Sequence, residues 1–183
     1  MANDEHVNIL HQGVEAWNQW RNMTSVRVQL SNADLRIAYL RGANLIGATL
    51  DGAKLTRADL TRARLDGANL DGADLSNAQL TGAILTHAHL HNADLHNANL
   101  SGADLTDAIL RSANLDSVDL TRANLTGAYL SGAHLNYADL SGADLTDADL
   151  SEANLTSAKY NDSTLWPEGF DPEKAGAIFS DGG

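Results

Sequence analysis

Residues 121–150 read TRANLTGAYLSGAHLNYADLSGADLTDADL, and this stretch decides the fold. Leucine occupies every fifth position, and alanine stands two positions before each leucine. The leucine frame runs unbroken from Leu30 to Leu155, with Val28 and Val118 replacing alanine. A period of five fits neither the 3.6-residue turn of an α-helix nor the two-residue alternation of a long strand. The frame therefore predicts a repeat fold in which the chain bends after each block.

Leucine and the alanine before it point the same way, because alternate side chains of an extended stretch share a face. The prediction is a central column of inward leucines, and the residues on either side of each leucine point outward. Representative core positions are Leu60, Leu80, Leu100, Leu120 and Leu140.

The A-x-L-x-x frame, often with Asp or Asn between alanine and leucine, resembles the pentapeptide-repeat family. That resemblance implies an all-β fold, a right-handed quadrilateral β-helix (β-solenoid) of about seven coils. In that family four blocks make one square coil, so residues twenty apart stack at about 4.8 Å. Residues 166–172, WPEGFDP, look like endings of cyanobacterial pentapeptide-repeat proteins.

The chain divides into three predicted segments. These are an N-terminal capping helix at 1–25, the solenoid at 26–165, and a short C-terminal cap with its tail at 166–183. The helix is predicted from helical spacing of Val7, Leu10, Val14 and Trp17, with Asn3 or Asp4 as its cap. Caps are expected because an open solenoid end exposes apolar surface and unpaired backbone groups. Leu165 is predicted to resume the leucine frame after Tyr160, without an inserted loop.

Composition favours one soluble domain. The 183 residues are 43% hydrophobic and carry a net charge of −12. The absence of cysteine excludes disulfides, thiolate metal sites and cysteine nucleophiles. The N-terminal MANDEHVNIL lacks a basic segment followed by an apolar one, and no apolar run approaches membrane-spanning length. The sequence therefore predicts a cytoplasmic protein without membrane association.

A cluster of histidines raises the question of a metal site. Its members are His87, His89, His91 and His96. His89 and His91 flank the inward Leu90 and leave the same wall, so two imidazoles could share one metal. Spacing fixes no third ligand, and the favoured interpretation is surface histidine. We therefore predict no metal and no cofactor, with His89 and His91 as the only metal candidates.

Aspartates form the second conspicuous surface feature. Asp74 and Asp94 are twenty residues apart, as are Asp119 and Asp139, so the family's coil would stack like charges. These four residues are the predicted acidic interaction surface. The alternative, which we favour, is that aspartate before leucine serves the local turn and solubility.

The motifs indicate a non-enzymatic scaffold or protein-interaction module. The glycines follow the five-residue frame and form no phosphate-binding loop, and no nucleophile elbow or catalytic residue is evident. The partner is predicted to be an unknown protein rather than nucleic acid, given the net acidity. We predict a monomer, with an end-to-end dimer as the alternative.

Resemblance to proteins of known function suggests two alternative functions for this chain. Some pentapeptide-repeat proteins mimic DNA and bind or protect type II topoisomerases such as gyrase, which the acidic columns would suit. This chain lacks their loops and an evident dimerisation end. Threonines also recur every twenty residues, at Thr86, Thr106, Thr126 and Thr146, and resemble the threonine columns of ice-binding solenoids. Charged neighbouring residues would interrupt the flat face that ice binding requires.

Overall fold

The computed structural model describes residues 2–181, an all-β solenoid entered through two short helices. Met1, Gly182 and Gly183, which the predicted end segments include, lie outside the described residues. The regular elements are α1 (Asp4–His11), α2 (Val14–Met23), β1 (Lys159–Tyr160) and β2 (Ile178–Phe179). Within residues 2–181, neither helix has the length and apolarity needed to cross a membrane.

The solenoid occupies the chain between α2 and the C-terminal segment. It is built from single-residue parallel bridges between successive coils. From Gln29 to Lys159, each bridge joins residues twenty apart, so four blocks separate stacked positions. The outward bridge residues therefore form four columns. Column A is Gln29, Thr49, Asn69, His89, Ile109, Tyr129 and Asp149; column B is Asp34, Lys54, Asp74, Asp94, Asn114, His134 and Asn154. Column C is Tyr39, Asp59, Gln79, Asn99, Asp119, Asp139 and Lys159; column D is Asn44, Arg64, Ile84, Asp104, Asn124, Asp144 and Leu165.

From Thr49 onward, the bridge residues make two backbone hydrogen bonds to the preceding coil. The Asp59 amide donates to the Ala38 carbonyl at 2.9 Å, and the Asp59 carbonyl accepts from the Leu40 amide at 2.7 Å. A turn then closes each block, as where the Ala43 amide donates to the Leu40 carbonyl at 3.0 Å. The residue before alanine in that turn is left-handed, with φ of +70° at Gly42, which explains the glycines at this position.

The repeat leucines and alanines fill the interior. Leucines from Leu30 to Leu145 are at most 2% exposed, and the five representative core leucines are among them. Burying each leucine contributes about 1.5–3 kcal/mol, which offsets the entropy of ordering a chain that is mostly turns. Alanine at the other inward position lets adjoining parts of the coil approach closely.

The N-terminal cap is two helices, so the prediction of one helix was wrong. Asn3 is the N-cap of α1, and its side chain accepts from the Glu5 amide at 2.9 Å. Gly13 separates the helices with φ of +104°, a conformation that suits glycine. The break lets Leu10 and Trp17 both reach the core while their helices cover different columns; Leu10 is 4% exposed and Trp17 is fully buried.

The two helices satisfy backbone groups at the first bridges of columns A and D. Over column A, the Gln29 amide donates to His6 Nδ1 at 3.0 Å, and the Gln29 carbonyl accepts from the Asn3 amide at 2.9 Å. Over column D, the Asn44 amide donates to Asn18 Oδ1 at 2.8 Å, and the Asn44 carbonyl accepts from Trp17 Nε1 at 2.9 Å. Three side chains and one backbone amide of the cap thus replace a missing coil at columns A and D.

The C-terminal frame differs from the prediction at Leu165. Asp144 bridges Leu165, twenty-one residues later, because the corner at 161–163 holds one residue more than the others. Leu165 is consequently an outward bridge residue, 52% exposed, and does not resume the inward frame. Thr164 takes the inward alanine position, where its hydroxyl donates to the Leu140 carbonyl at 2.9 Å.

The C-terminal cap combines a short strand with an aromatic cluster. β2 pairs in parallel with β1, with Lys159 opposite Ile178, and so extends column C. Trp166 stacks on Phe170 with ring centroids 5.2 Å apart. The segment at Asp171 forms turns in which Asp171 Oδ1 accepts from the Lys174 amide at 3.1 Å.

Candidate functional site

Aspartate and asparagine at the bridge positions close the turns that follow them. Asp119 Oδ1 accepts from the Thr121 amide at 2.9 Å and from the Thr121 hydroxyl at 2.7 Å. Asn99 Oδ1 makes the same two bonds to Ser101, at 2.9 Å and 2.7 Å. These side chains readily bond to backbone two residues on. This local bond explains why Asp and Asn recur before leucine.

The structure divides the predicted acidic surface between two columns. Asp74 and Asp94 are bridge partners in column B, whereas Asp119 and Asp139 are bridge partners in column C. All four carboxylates accept from the amide two residues later, at 3.0, 3.1, 2.9 and 3.0 Å respectively. The stacked pairs exist, but they do not form one continuous acidic face.

Asp74 accepts hydrogen bonds from three donors. Its carboxylate accepts from the Ser76 amide at 3.0 Å, the Ser76 hydroxyl at 2.6 Å and the Thr56 hydroxyl at 2.7 Å. Burial opposes ionisation of Asp74, but these hydrogen bonds outweigh it, so its pKa lies below the ordinary aspartate value. The charge at this position therefore serves the turn.

The histidine cluster does not converge on one point. His87 approaches Asp107 at 3.7 Å, and His96 Nδ1 lies 2.9 Å from Asp94 Oδ1. His91 Nδ1 lies 3.0 Å from the Arg111 carbonyl oxygen, in the next coil. Within residues 2–181, no three histidine or carboxylate side chains are grouped closely enough to hold a metal ion.

His89 and His91 instead border a mixed aromatic and basic surface, here called the Tyr129 patch. Its residues are His89, His91, Ile109, Arg111 and Tyr129. His89, Ile109 and Tyr129 are consecutive members of column A. The Arg111 guanidinium carbon lies 5.2 Å from the centre of the Tyr129 ring, within cation–π range. Tyr129 remains 41% exposed.

The Tyr129 patch ends at a carboxylate. Tyr129 bridges Asp149, whose Oδ1 accepts from the Ser151 hydroxyl at 2.6 Å and the Ser151 amide at 3.1 Å. The Ser151 hydrogen bonds, and to a lesser extent the nearby Arg111 charge, lower the pKa of Asp149. The Tyr129 patch and the adjoining Asp149 therefore present apolar, cationic and anionic groups along column A and the corner beside it.

Sequence reasoning missed Ile109, Arg111 and Tyr129. The signal was present, because the twenty-residue spacing that stacks aspartates also stacks His89, Ile109 and Tyr129. It was obscured because histidine was assessed only as a metal ligand. Residues of different types placed twenty apart form no recognisable sequence motif. Their proximity is therefore evident only in the folded solenoid.

An open groove runs along the corner between columns C and D. This open groove has a volume of about 690 Å³ and is lined by serine, threonine, glycine and asparagine residues together with Arg122. Hydroxyls in it bond to their own turns, as Ser101 does with Asn99. Among its lining residues there is no histidine or carboxylate to act as a general base for these hydroxyls.

The threonine column likewise bonds locally. The Thr106 hydroxyl donates to Asp104 at 2.6 Å, and the Thr126 hydroxyl donates to Asn124 at 2.7 Å. These hydroxyls close turns and are not presented as a uniform, flat array.

Comparison with known families agrees with the repeat seen in the structure. A family model described as pentapeptide repeats matches in 8 copies, over residues 26–62, 58–97, 88–127 and 123–159. The chain belongs to the pentapeptide repeat family. No curated protein gives a significant match.

Several solved pentapeptide repeat structures are similar to this family member. For alr5209 from Nostoc Pcc 7120, identity is 35% over 67% of this chain and 84% of that chain, with a TM-score of 0.33. For HetL, a protein involved in heterocyst differentiation regulation in the cyanobacterium Nostoc sp. strain PCC 7120, identity is 28% over 97% and 92%, with a TM-score of 0.30. For QnrB1, a plasmid-mediated fluoroquinolone resistance protein, identity is 22% over 86% and 84%, with a TM-score of 0.38.

Proposed function

We propose that this pentapeptide repeat protein is a non-enzymatic interaction module that binds a partner protein through the Tyr129 patch. The supporting observation is the exposed Tyr129 ring under the Arg111 guanidinium. Ile109 precedes Tyr129 in column A, and His89 and His91 lie one coil further along. Tyrosine and arginine are enriched among residues that dominate binding energy at protein interfaces.

The solenoid supports this function by holding the patch rigid. Bridges fix the backbone of Ile109 and Tyr129 at the spacing of paired strands, about 4.8 Å. A preorganised surface loses less conformational entropy on binding than a loop does. The partner thus meets side chains whose backbone positions are already set.

We also infer the finer form of the solenoid. Four columns imply four walls, and seven bridge residues in each column imply a quadrilateral rod of about seven coils. Right-handed winding is expected because parallel strands joined by a crossover are almost always connected with that hand. On such a rod the Tyr129 patch occupies one wall and the adjoining corner.

DNA mimicry is less well supported than protein binding through the patch. A mimic needs a continuous line of negative charge along the rod. Column B contains Lys54 and His134 as well as its aspartates, and column C contains Tyr39 and Lys159. We therefore expect purified protein not to inhibit DNA supercoiling by gyrase, even when present in large excess over the enzyme.

Affinity capture from extracts of the native organism tests the proposal. The bait proteins are the wild type, Tyr129→Ala, Arg111→Ala, and Tyr137→Ala as the matched control. Tyr137 is 65% exposed but lies at a corner outside the patch. A partner identified by mass spectrometry should be retained by the wild type and by Tyr137→Ala. Binding of that partner should weaken at least tenfold in Tyr129→Ala and in Arg111→Ala, since each variant lacks one side chain of the Arg111–Tyr129 pair.

Two results would overturn the assignment. Equal binding of the identified partner by all four proteins would place the interface elsewhere on the rod. If the wild type retained no protein at low or at high salt, the proposal that it binds a partner protein would be wrong.

A further inference from the structure

The first coil has four bridge residues at its outer edge, and among residues 2–181 the helices cover two of them. The helices satisfy the Gln29 and Asn44 backbone groups. Asp34 and Tyr39 begin columns B and C, and within residues 2–181 their amides and carbonyls have no hydrogen-bond partner. An uncovered edge of this kind can pair with another chain, so proteins usually block it.

The inner coils show what the Tyr39 edge would accept. One coil further in, the Asp59 amide donates to the Ala38 carbonyl at 2.9 Å, and its carbonyl accepts from the Leu40 amide at 2.7 Å. By the same geometry, Tyr39 needs an extended triplet whose first carbonyl accepts and whose third amide donates. The first and third side chains of such a triplet would face the solenoid interior.

An apolar cavity lies where the third side chain would point. It has a volume of about 240 Å³ and is lined by Leu10, His11, Gly13, Leu35, Ala38, Tyr39 and Leu40. Small-molecule sites commonly occupy about 300–1,000 Å³, so this cavity is on the scale of a side chain. It opens beside Tyr39, which is 82% exposed.

The corner before Tyr39 is also unusual. Ile37 is left-handed, with φ of +59°, and is 61% exposed. A β-branched residue in that conformation is an outlier, and such strain is often found at functional positions. An exposed, strained isoleucine beside an unpaired strand edge and an apolar cavity indicates a surface built for contact.

We propose that the Tyr39 edge binds an extended segment of a partner protein by parallel strand addition. The segment carries a triplet of the form small, acidic, large apolar. Its large residue enters the cavity beside Ala38, and its small residue faces the solenoid interior. Its acidic residue faces outward near Arg41, which has no carboxylate within 4.0 Å among residues 2–181. This binding mode is independent of the Tyr129 patch.

A capped peptide with the sequence of residues 101–107, SGADLTD, is a suitable probe because it contains such a triplet. Hydrogen exchange followed by NMR should show the Tyr39 amide slowed at least tenfold by saturating peptide. The Asn44 amide, already bonded to Asn18, is the internal reference and should not change. A peptide N-methylated at its leucine lacks the required donor and should bind at least tenfold more weakly by fluorescence anisotropy.

Protein variants separate the backbone contribution from that of the tyrosine ring. Tyr39→Ala keeps the free amide and should bind the peptide within about threefold of the wild type, whereas Tyr39→Pro removes the amide and should bind at least tenfold more weakly. Ala38→Phe fills the cavity and should weaken binding similarly. If Tyr39→Pro does not fold, Ala38→Phe and the N-methylated peptide still decide the matter.

Three outcomes would overturn the proposal. They are absence of binding at millimolar peptide, equal binding of the N-methylated and unmodified peptides, and protection of the Tyr39 amide that rises with protein concentration without peptide. The last outcome would assign the edge to a second copy of this chain. Loss of peptide binding in Ala38→Phe with unchanged binding in Tyr129→Ala would separate this site from the Tyr129 patch.

Discussion

At the residue scale, an aspartate before leucine stabilises its own corner. Asp74 accepts from one amide and two hydroxyls, and Ser76 beside it is only 5% exposed. Asp74→Ala removes all these acceptors and should lower the free energy of unfolding by about 1–3 kcal/mol. Asp74→Asn keeps an oxygen that can accept from Ser76 and should cost less than about 1 kcal/mol. Urea denaturation compares the two; equal losses would contradict a role for the accepting oxygen.

The same bonds predict the direction of acid sensitivity. The pKa values of Asp59, Asp74 and Asp149 are lowered, chiefly by hydroxyl and amide donors acting against burial. The unfolded chain, with aspartate pKa near 3.9, therefore binds more protons in acid than the folded chain. Stability should be complete above about pH 5 and fall as pH drops through the folded pKa values. Asp74→Asn should lose less stability than the wild type between about pH 5 and pH 3; parallel pH profiles would show that Asp74 does not contribute.

Left-handed corners provide a reciprocal test of backbone strain. Ile37 has φ of +59°, and Gly42, at the next corner, has φ of +70° with open space within 4 Å of the point that a Cβ atom would occupy. Ile37→Gly should raise the free energy of unfolding by about 1 kcal/mol, and Gly42→Ile should lower it by about 1–2 kcal/mol. Thermal denaturation of both variants and of the double variant measures this. A loss of stability in Ile37→Gly would mean that packing of the isoleucine outweighs its strain.

At the element scale, the helices act as substitutes for a missing coil. The Asn18 side chain accepts from the Asn44 amide, as a carbonyl of a preceding coil would, and it also donates to the Gly42 carbonyl. Asn18→Ala leaves both groups unpaired and should cost about 1–3 kcal/mol, whereas the exposed neighbour Gln19→Ala should change stability by less than about 0.5 kcal/mol. Exchange of the Asn44 amide should accelerate only in Asn18→Ala. Unchanged exchange would indicate that α2 covers the edge without this bond.

Element boundaries were less predictable from the sequence than the repeat was. The apolar spacing of Val7, Leu10, Val14 and Trp17 continues across Gly13, so it concealed the break between α1 and α2. At the other end, Leu165 keeps the five-residue count, yet one extra corner residue turns it outward. In both places the decisive factor is which backbone edge needs covering, and that depends on the assembled coil.

At the scale of the whole molecule, the repeat leucines and the turns were predictable because every block repeats the same local chemistry. The Tyr129 patch was not, because its residues share no type and lie far apart in sequence. Only the return of the chain after four blocks brings Ile109 and Tyr129 together. Any surface site on this solenoid therefore depends on the number of blocks between its residues, a dependence that local motifs do not express.

Deleting one block tests that dependence directly. Removing residues 116–120 keeps the A-x-L-x-x frame but leaves three blocks between Ile109 and Tyr129, which places them on different columns. Removing residues 76–80 shortens the rod equally and keeps the four-block spacing of the patch. Because each coil contacts only its neighbours and each cap contacts only its own end, both deletions should fold with similar melting temperatures by circular dichroism. Only the 116–120 deletion should lose the partner that the wild type binds. Equal binding by both shortened proteins would show that column alignment at Tyr129 is not what the partner recognises.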